Sequence, residues 1–354
     1  MSIEVRLMQR HESSLANAFF NSIYKTARSQ ADFDWEFVNG PCGPAIYIIA
    51  IDNAIKDFLK VVGIQCAIPI KFTDAAGNTF LTAKSEDTLV DPFYRGQKIF
   101  ERMYDLLFVE CKNAGIKCIW GFTPAKKAFE RIGFEIPFQA HQALMVFNPF
   151  TAFGYLSKLN AANKFVDRIK IAGLSMMSWM KPVGSGRIAK VKMEKVSITE
   201  SKQIALAALK HQARYYYLDM TSAYLRWRLE LNPFQNSYET FHFFIDDKFA
   251  ADVIINRRSS LGYIEQIIFD DGLDAESKKQ ILLMIVDMMK KDTALVRMLC
   301  FDINNALAEQ EELFKKCGFI VLNRGAHFVW KSFVEGEIDP RMLFLSRLFT
   351  QGNQ

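Results

Sequence analysis

Unbroken apolar runs of membrane-spanning length are missing from this 354-residue chain; the uncharged, apolar-rich run Ile171 to Met180 is ten residues. A membrane span needs about twenty, so none is expected. The first six residues, Met-Ser-Ile-Glu-Val-Arg, alternate charge and hold no apolar core, which leaves no sign of a signal peptide. Histidine is scarce, with five residues (His11, His141, His211, His242 and His327), and none pairs with Glu or Cys at a metal-ligand spacing. No metal site is expected. The six cysteines (Cys42, Cys66, Cys111, Cys118, Cys300 and Cys317) are scattered, without a CxxC pair. A chain this long does not need disulfide staples, so they read as reduced thiols of a cytoplasmic protein. No Gly-x-Ser-x-Gly elbow occurs, and Ser259-Ser260 lacks flanking glycines. Excess charge is also small, 44 Lys/Arg against 39 Asp/Glu. That is too little for a DNA-binding protein built on charge.

Apolar residues are plentiful, at half of the chain, with 13% aromatic. They suffice for real cores and for two domains of ordinary size. An internal repeat divides them. Trp35-Glu-Phe-Val-Asn-Gly-Pro41 matches Trp227-Arg-Leu-Glu-Leu-Asn-Pro233, and each precedes a β-like run. Further on, Phe129-Glu-Arg-Ile-Gly-Phe134 matches Phe314-Lys-Lys-Cys-Gly-Phe319. From Trp to the last Phe is 99 residues in one copy and 92 in the other. Each copy runs from a helical pattern (Glu12–Ala27; Glu200–Tyr217) through strands into strand–helix–strand–helix–strand. In the first copy the long helix spans about Gln97 to Ala114, with Ile99, Met103, Leu106, Leu107 and Cys111 at helical spacing and Gly115 as its stop. In the second, strand Gly262–Phe269, helix Ala275–Lys290, strand Leu295–Asp302 and helix Ala306–Lys316 follow in order. The class expected is mixed α/β (α+β).

Residues 151–195 differ in character, with nine Lys/Arg against Asp167 and Glu194. Leu156, Leu159, Phe165, Ile169, Ala172, Met176 and Trp179 line one side of a candidate helix, broken by Pro182-Val-Gly-Ser-Gly186. Two readings stand: a basic amphipathic helix for peripheral contact with an anionic membrane or polyanion, or a connecting helix with solvated lysines. Tyr215-Tyr-Tyr217 with Tyr224-Leu-Arg-Trp-Arg228 mixes aromatic and basic residues, either a stacking surface or the core and rim of the second domain.

The stretch richest in chemistry is Asp87-Thr-Leu-Val-Asp-Pro-Phe-Tyr-Arg-Gly-Gln-Lys-Ile-Phe-Glu-Arg-Met103. A strand ends at Val90, a Pro-containing turn follows, and Arg95-Gly96 opens a helix. The first amides of a helix lack internal partners and carry the positive end of its dipole. A glycine there admits a phosphate close to the backbone.

This stretch resembles motif A of the GNAT superfamily of acyl-CoA N-acyltransferases, whose pyrophosphate loop reads Arg/Gln-x-x-Gly-x-Gly/Ala. The corresponding residues are Arg95, Gly96, Gln97, Lys98, Ile99 and Phe100, and the resemblance extends over Trp35 to Pro41 and Phe129 to Phe134. The second copy looks like the same fold. The resemblance therefore implies two GNAT-like domains, each a mixed, mostly antiparallel sheet flanked by helices: residues 1–147 with the cofactor loop, a basic linker 148–195, a degenerate copy 196–335 and a tail 336–354. It implies acetyl-CoA or another acyl-CoA as co-substrate and an amine on a small-molecule, amino-sugar or peptide acceptor. Leu89 and Val90 would face the pantetheine arm, with the Val90 N–H supporting the oxyanion. Arg95, Gly96, Gln97, Lys98 and Ile99 would hold the pyrophosphate, and Glu86 and Asp87 are the nearest carboxylates to take the amine proton. Strand-end solvation or a loop cap is the other reading of both carboxylates.

The sequence also departs from the family. Lys98 stands at a glycine position, Phe100 at a Gly/Ala position, and Phe129 where many members carry a tyrosine that protonates the leaving thiolate. In the second copy Asp270 and Asp271 occupy the phosphate position, so that copy is not expected to bind acyl-CoA. Two competing classes remain: a non-catalytic tandem binding module, and an aminoacyl-tRNA-dependent transferase whose basic segment contacts RNA.

Overall fold

The fold was read from a computed structural model. It describes residues 3–55, 59–74, 76–150, 191–197, 216–234, 237–258, 261–291, 298–303, 308–322, 325–334, 336 and 338–350, with isolated residues between 153 and 176. The candidate helix of the basic segment and most of the helical pattern at 200–217 lie outside them. The end of the basic segment is a strand, and Tyr216 and Tyr217 are also in a strand.

In chain order the elements begin with β1 (Ile3–Leu7), α1 (Ser13–Tyr24) and α2 (Gln30–Phe33), followed by a π-helical turn at Asp34–Val38. Next come β2 (Ile46–Asp52), β3 (Val61–Thr73), β4 (Thr79–Val90), α3 (Ile99–Asn113), β5 (Cys118–Thr123), α4 (Lys126–Arg131) and β6 (His141–Val146). The second half holds β7 (Val191–Val196), β8 (Tyr216–Leu218), α5 (Ser222–Leu225), a second π-helical turn at Arg226–Glu230, β9 (Ser237–Ile245), β10 (Lys248–Arg258) and β11 (Leu261–Phe269). It continues through α6 (Ala275–Lys291), β12 (Met298–Ile303), α7 (Ala308–Lys316), β13 (Ile320–Leu322) and β14 (His327–Ser332). The mixed α+β class is as the patterning implies. No helix among the described residues is long and apolar enough to cross a membrane.

The chain divides into two compact units, but not at the boundaries read from sequence. The first unit is Met1–Pro137, Tyr216–Phe234 and Ala326–Leu343; the second is Phe138–Tyr215, Gln235–Gly325 and Phe344–Gln354. The sequence boundaries put β6 in a first domain (1–147) and β14 in a second (196–335). Instead β14 pairs antiparallel with β5 in the first unit, and β6 lies between β12 and β13 in the second. Each copy thus places a late strand in the other unit's sheet, β14 at the end of the first and β6 inside the second. Among the described residues of the tail, Leu345 and Leu348 are buried, and Ser346 donates to Gln266 in the second unit.

The first unit's sheet runs β1-β2-β3-β4-β5-β14, with β8 added to the far end of β3. The second runs β13-β6-β12-β11-β10-β9-β7. Pairing is antiparallel throughout both paths except for β4–β5 and β11–β12. In the first unit α3 lays Ile99, Met103, Tyr104, Leu107 and Cys111 against the sheet. Its start comes close because β3 carries Gly63 there: a Cβ at that position would lie 3.1 Å from both Ile99 Cγ2 and Met103 Sδ. The two repeat-marking tryptophans meet inside this unit. Trp35 and Trp227 stack at 4.9 Å, and each indole N–H donates to the other's carbonyl oxygen at 2.9 and 2.8 Å.

Candidate functional site

The site begins where β4 loses a neighbour. On one side β4 pairs with β3 along its length; on the other it pairs with β5 only at Ala83↔Ile119 and Lys84↔Trp120. Gly121 marks the last close approach, since a Cβ there would come 3.1 Å from the Ser85 oxygen. Beyond it, Ser85 to Val90 have no strand partner on that edge among the described residues. A bulge sits in this free segment: Glu86 lies opposite Cys66 and Leu89 opposite Ile64, so Asp87 and Thr88 share one facing residue. Asp87 takes φ +50° to make it. The Asp91 N–H donates to Val62 O at 2.9 Å, and amides alternate sides along a strand, so the Val90 N–H points away from β3 into the open edge.

Immediately after β4 the chain turns over Pro92–Tyr94, with the Asp91 side chain accepting from the Phe93 N–H at 2.9 Å. Tyr94 pins this turn. Its hydroxyl donates to Asp52 Oδ2 at 2.7 Å and accepts from Lys60 Nζ at 3.1 Å. Two left-handed residues follow, Gly96 (φ +82°) and Lys98 (φ +55°), and α3 starts at Ile99. The first helical bond is Arg102 N–H to Lys98 O at 3.1 Å. The amides of Gly96 and of Lys98 to Glu101 find no acceptor among the described residues, and no side chain caps the helix. Arg95, Gly96, Gln97 and Lys98 are all exposed. A left-handed conformation explains why glycine suits position 98; lysine there costs about 1 kcal/mol. Its ammonium makes no hydrogen bond or ion pair among the described residues, and its exposure leaves the loop unplugged.

The structure places both sequence-predicted carboxylates beside this edge, but both are engaged. Asp87 is buried, gripped by Arg28 at 2.9 and 3.2 Å and by the Tyr47 hydroxyl at 2.8 Å. Burial pushes its carboxyl up, while the Arg28 charge and the hydrogen bonds from Arg28 and Tyr47 pull it back. Arg28 is itself fixed, with its guanidinium 3.9 Å from the Phe20 ring centre and its Nε donating to Asn17 Oδ1 at 2.8 Å. Glu86 is ion-paired to Lys84, a buried lysine two residues back on the same strand. A third carboxylate, Glu36, is half-buried on the first π-helical turn. Burial pushes it up to about 7, reinforced by the charges of Glu86 and Asp87, against Lys84 and Arg228.

No protein-family model and no curated protein matches the sequence. Solved structures do match in shape. A GCN5-related N-acetyltransferase from Anabaena variabilis superposes with a TM-score of 0.61 at 10% identity, over 94% of this chain and 73% of that one. A tandem GNAT protein from the clavulanic acid biosynthesis pathway gives 0.55 at 10% identity, over 94% and 98%. N-myristoyltransferase from Saccharomyces cerevisiae, with bound myristoyl-CoA, gives 0.56 at 12%, over 100% and 84%. The fold is a tandem GNAT fold. Its two copies differ at the loop after the fourth strand. In the second unit Asp270 Oδ1 accepts from the Gly272 N–H at 3.0 Å, and Asp274 Oδ1 accepts from the Ser277 N–H of α6 at 2.7 Å. There the chain's own carboxylates satisfy amides that the first unit leaves open.

Phe129, at the tyrosine position, is a buried core residue 5.5 Å from the Tyr104 ring. The Tyr104 hydroxyl lies 2.8 Å from Ser85 Oγ and 3.0 Å from Thr88 Oγ1, on the free segment of β4. Burial raises this phenol far above its usual range, so it stays neutral. Sequence reasoning missed Glu36 and Tyr104. Glu36 had one visible signal: a charge set between the core aromatics Trp35 and Phe37, with Arg228 at the matching place in the second copy.

The raised Glu36 carboxyl has a measurable consequence. Its folded-state value of about 7 lies above the ordinary 4.5, so between those pH values the folded chain holds a proton that the unfolded chain has lost. Its contribution is therefore present in acid and declines as pH rises towards and through 7. Glu36→Gln removes that penalty. It is expected to stabilise the chain by about 2–3 kcal/mol at pH 8 and by little near pH 4.5. Urea titrations at the two pH values check this; equal effects at both would contradict it.

Proposed function

We propose that the chain is an acyl-CoA-dependent N-acyltransferase whose first unit binds the acyl donor, with acetyl-CoA as the first donor to test. The observation that carries this reading is the continuity of two features in one unit: an unpaired edge of β4, and directly after it a loop with open amides. The residues fit the group. Leu89 and Val90 present strand edge to a pantetheine arm, which pairs as an added strand would. The amides of Gly96 and of Lys98 to Glu101 and the cations of Arg95 and Lys98 suit a pyrophosphate. When bound, the thioester supplies the activated acyl group. The chain's own residues hold it in line, and the Val90 N–H is turned to donate to the acyl oxygen. The second unit, its loop occupied by Asp270 and Asp274, is left for acceptor binding or support. The acceptor is an amine on a small molecule, amino sugar or peptide. A cytoplasmic setting accords with free thiols and an acyl-CoA donor.

Thermal unfolding with acetyl-, succinyl- and longer acyl-CoA tests the reading. A donor at 100 times its dissociation constant should add about 2.7 kcal/mol, a rise in melting temperature of several degrees for domains of this size. No shift with any donor would favour a tandem binding module without a cofactor.

A further inference from the structure

We propose that Glu36 is the residue that receives the acceptor's amine and takes its proton, the acid–base group of the transferase reaction proposed above, on which this inference rests. Two carboxylates stand on the free segment of β4 and are already spoken for; a third, Glu36, sits between Phe33 and Phe37, which pack on Tyr47, the hydrogen-bond partner of Asp87. Asp87 is locked to Arg28 and Tyr47, and Glu86 to Lys84. Glu36 alone of the three makes no hydrogen bond or contact ion pair among the described residues. It is half-buried, so its oxygens remain within reach of a ligand.

Its position is fixed from both sides. Phe33 and Phe37 flank its turn and pack on the Tyr47 ring at 5.4 and 5.5 Å, and Tyr47 bonds to Asp87 on β4. Trp35, the preceding residue, is stacked on Trp227 and bonded to its backbone. The charged groups that act on Glu36 are therefore Lys84, Glu86 and Asp87 from β4 and Arg228 from the second π-helical turn, while Glu36 in turn acts on Arg28. A carboxyl in such surroundings gains by meeting a cation, and the acceptor's ammonium is one. Its proton affinity, poised near neutrality, then suits removal of a proton from that ammonium.

The step balances as follows. One proton passes from the ammonium to a Glu36 oxygen. The freed nitrogen lone pair forms the new C–N bond as the thioester C–S bond breaks. The second N–H proton goes to the departing sulfur, and Glu36 returns its own proton to solvent.

Two measurements test this. In the chain without donor, carbodiimide-driven coupling of methylamine at pH 7, mapped by peptide mass spectrometry, should modify Glu36 ahead of Glu86 and Asp87. No coupling at Glu36 would show that carboxyl closed to an amine and overturn the proposal. With propylamine as probe acceptor and a donor that shifts the melting temperature, thiol release should rise through pH 7. Glu36→Gln should lower kcat at pH 8 about 100-fold and remove that rise, Glu36→Asp should restore part of both, and the donor-induced thermal shift should remain. A Glu36→Gln chain with unchanged kcat and pH profile refutes the role of Glu36 but leaves the transferase reading intact. Failure of every donor to shift the wild-type chain refutes the transferase reading itself.

Discussion

Replacing Asp87 with Asn should destabilise the chain by about 3–5 kcal/mol, the cost of leaving a buried charge without its partner. Arg28 cannot turn to water to escape. Its side chain is buried to the same extent as that of Asp87, its Nε is held by Asn17, and aromatic rings of Phe20, Phe33 and Phe37 surround it at 3.9, 5.2 and 5.1 Å. Asn keeps the shape and tolerates the φ of +50° at this bulge, so the loss reports charge rather than backbone. The face of each ring offsets part of the unpaired cation's cost, which places the expectation at the lower end of that range. Urea unfolding of Asp87→Asn, of Arg28→Met and of the double variant decides the matter. The double variant should recover much of the single loss, because no orphaned charge remains. A single loss below 1 kcal/mol would mean that Arg28 is not confined as described. This pair also explains why Asp87 is not free to meet an acceptor amine despite its place on β4: its lone pairs already face a guanidinium and a phenol.

What the sequence disclosed and what it withheld divide along the range of the interactions involved. The loop from Arg95 to Ile99 was legible because its chemistry is local: a strand end, a glycine, a helix start. The helix of Met103, Leu107 and Cys111 was legible from spacing, and its start moved only from Gln97 to Ile99, because Lys98 adopts a left-handed conformation instead of the first helical turn. Trp35 and Trp227 were legible as marks of a repeat, but not as partners in one stacked pair. Strand exchange was hidden for a similar reason. The runs that become β6 and β14 follow the same Gly-Phe signal in each copy, so nothing in either tells which sheet it joins. Glu36 was hidden because what perturbs it lies 48 to 192 residues away, at Lys84, Glu86, Asp87 and Arg228. In the second copy Asp270 and Asp271 were legible as charges at the phosphate position, whereas the bonds of Asp270 and Asp274 to loop and helix amides emerged only from the structure.

Gly96→Asp should abolish the thermal response to acyl-CoA, a loss of about 2.7 kcal/mol of stabilisation at 100 times the wild-type dissociation constant, while the donor-free chain still folds. A Cβ at Gly96 would meet no atom within 4 Å, so the added carboxylate enters open space at the loop rather than displacing protein. Backbone strain is the confounding cost, because Gly96 has φ +82°. Gly96→Ala carries that strain of about 1 kcal/mol without the charge and should keep most of the response. Retained binding in Gly96→Asp would mean that the pyrophosphate lies elsewhere. Lys98→Gly separates the two parts that lysine plays at the next left-handed position. If its Cβ obstructed the ligand, glycine would tighten binding. The exposed, unpartnered ammonium argues the reverse: Lys98→Gly should raise the melting temperature of the free chain by relieving strain and weaken donor binding by removing a phosphate contact. That weakening should shrink as salt rises, since a surface ion pair is screened, whereas the effect of Gly96→Asp, acting by occupancy as well as charge, should persist.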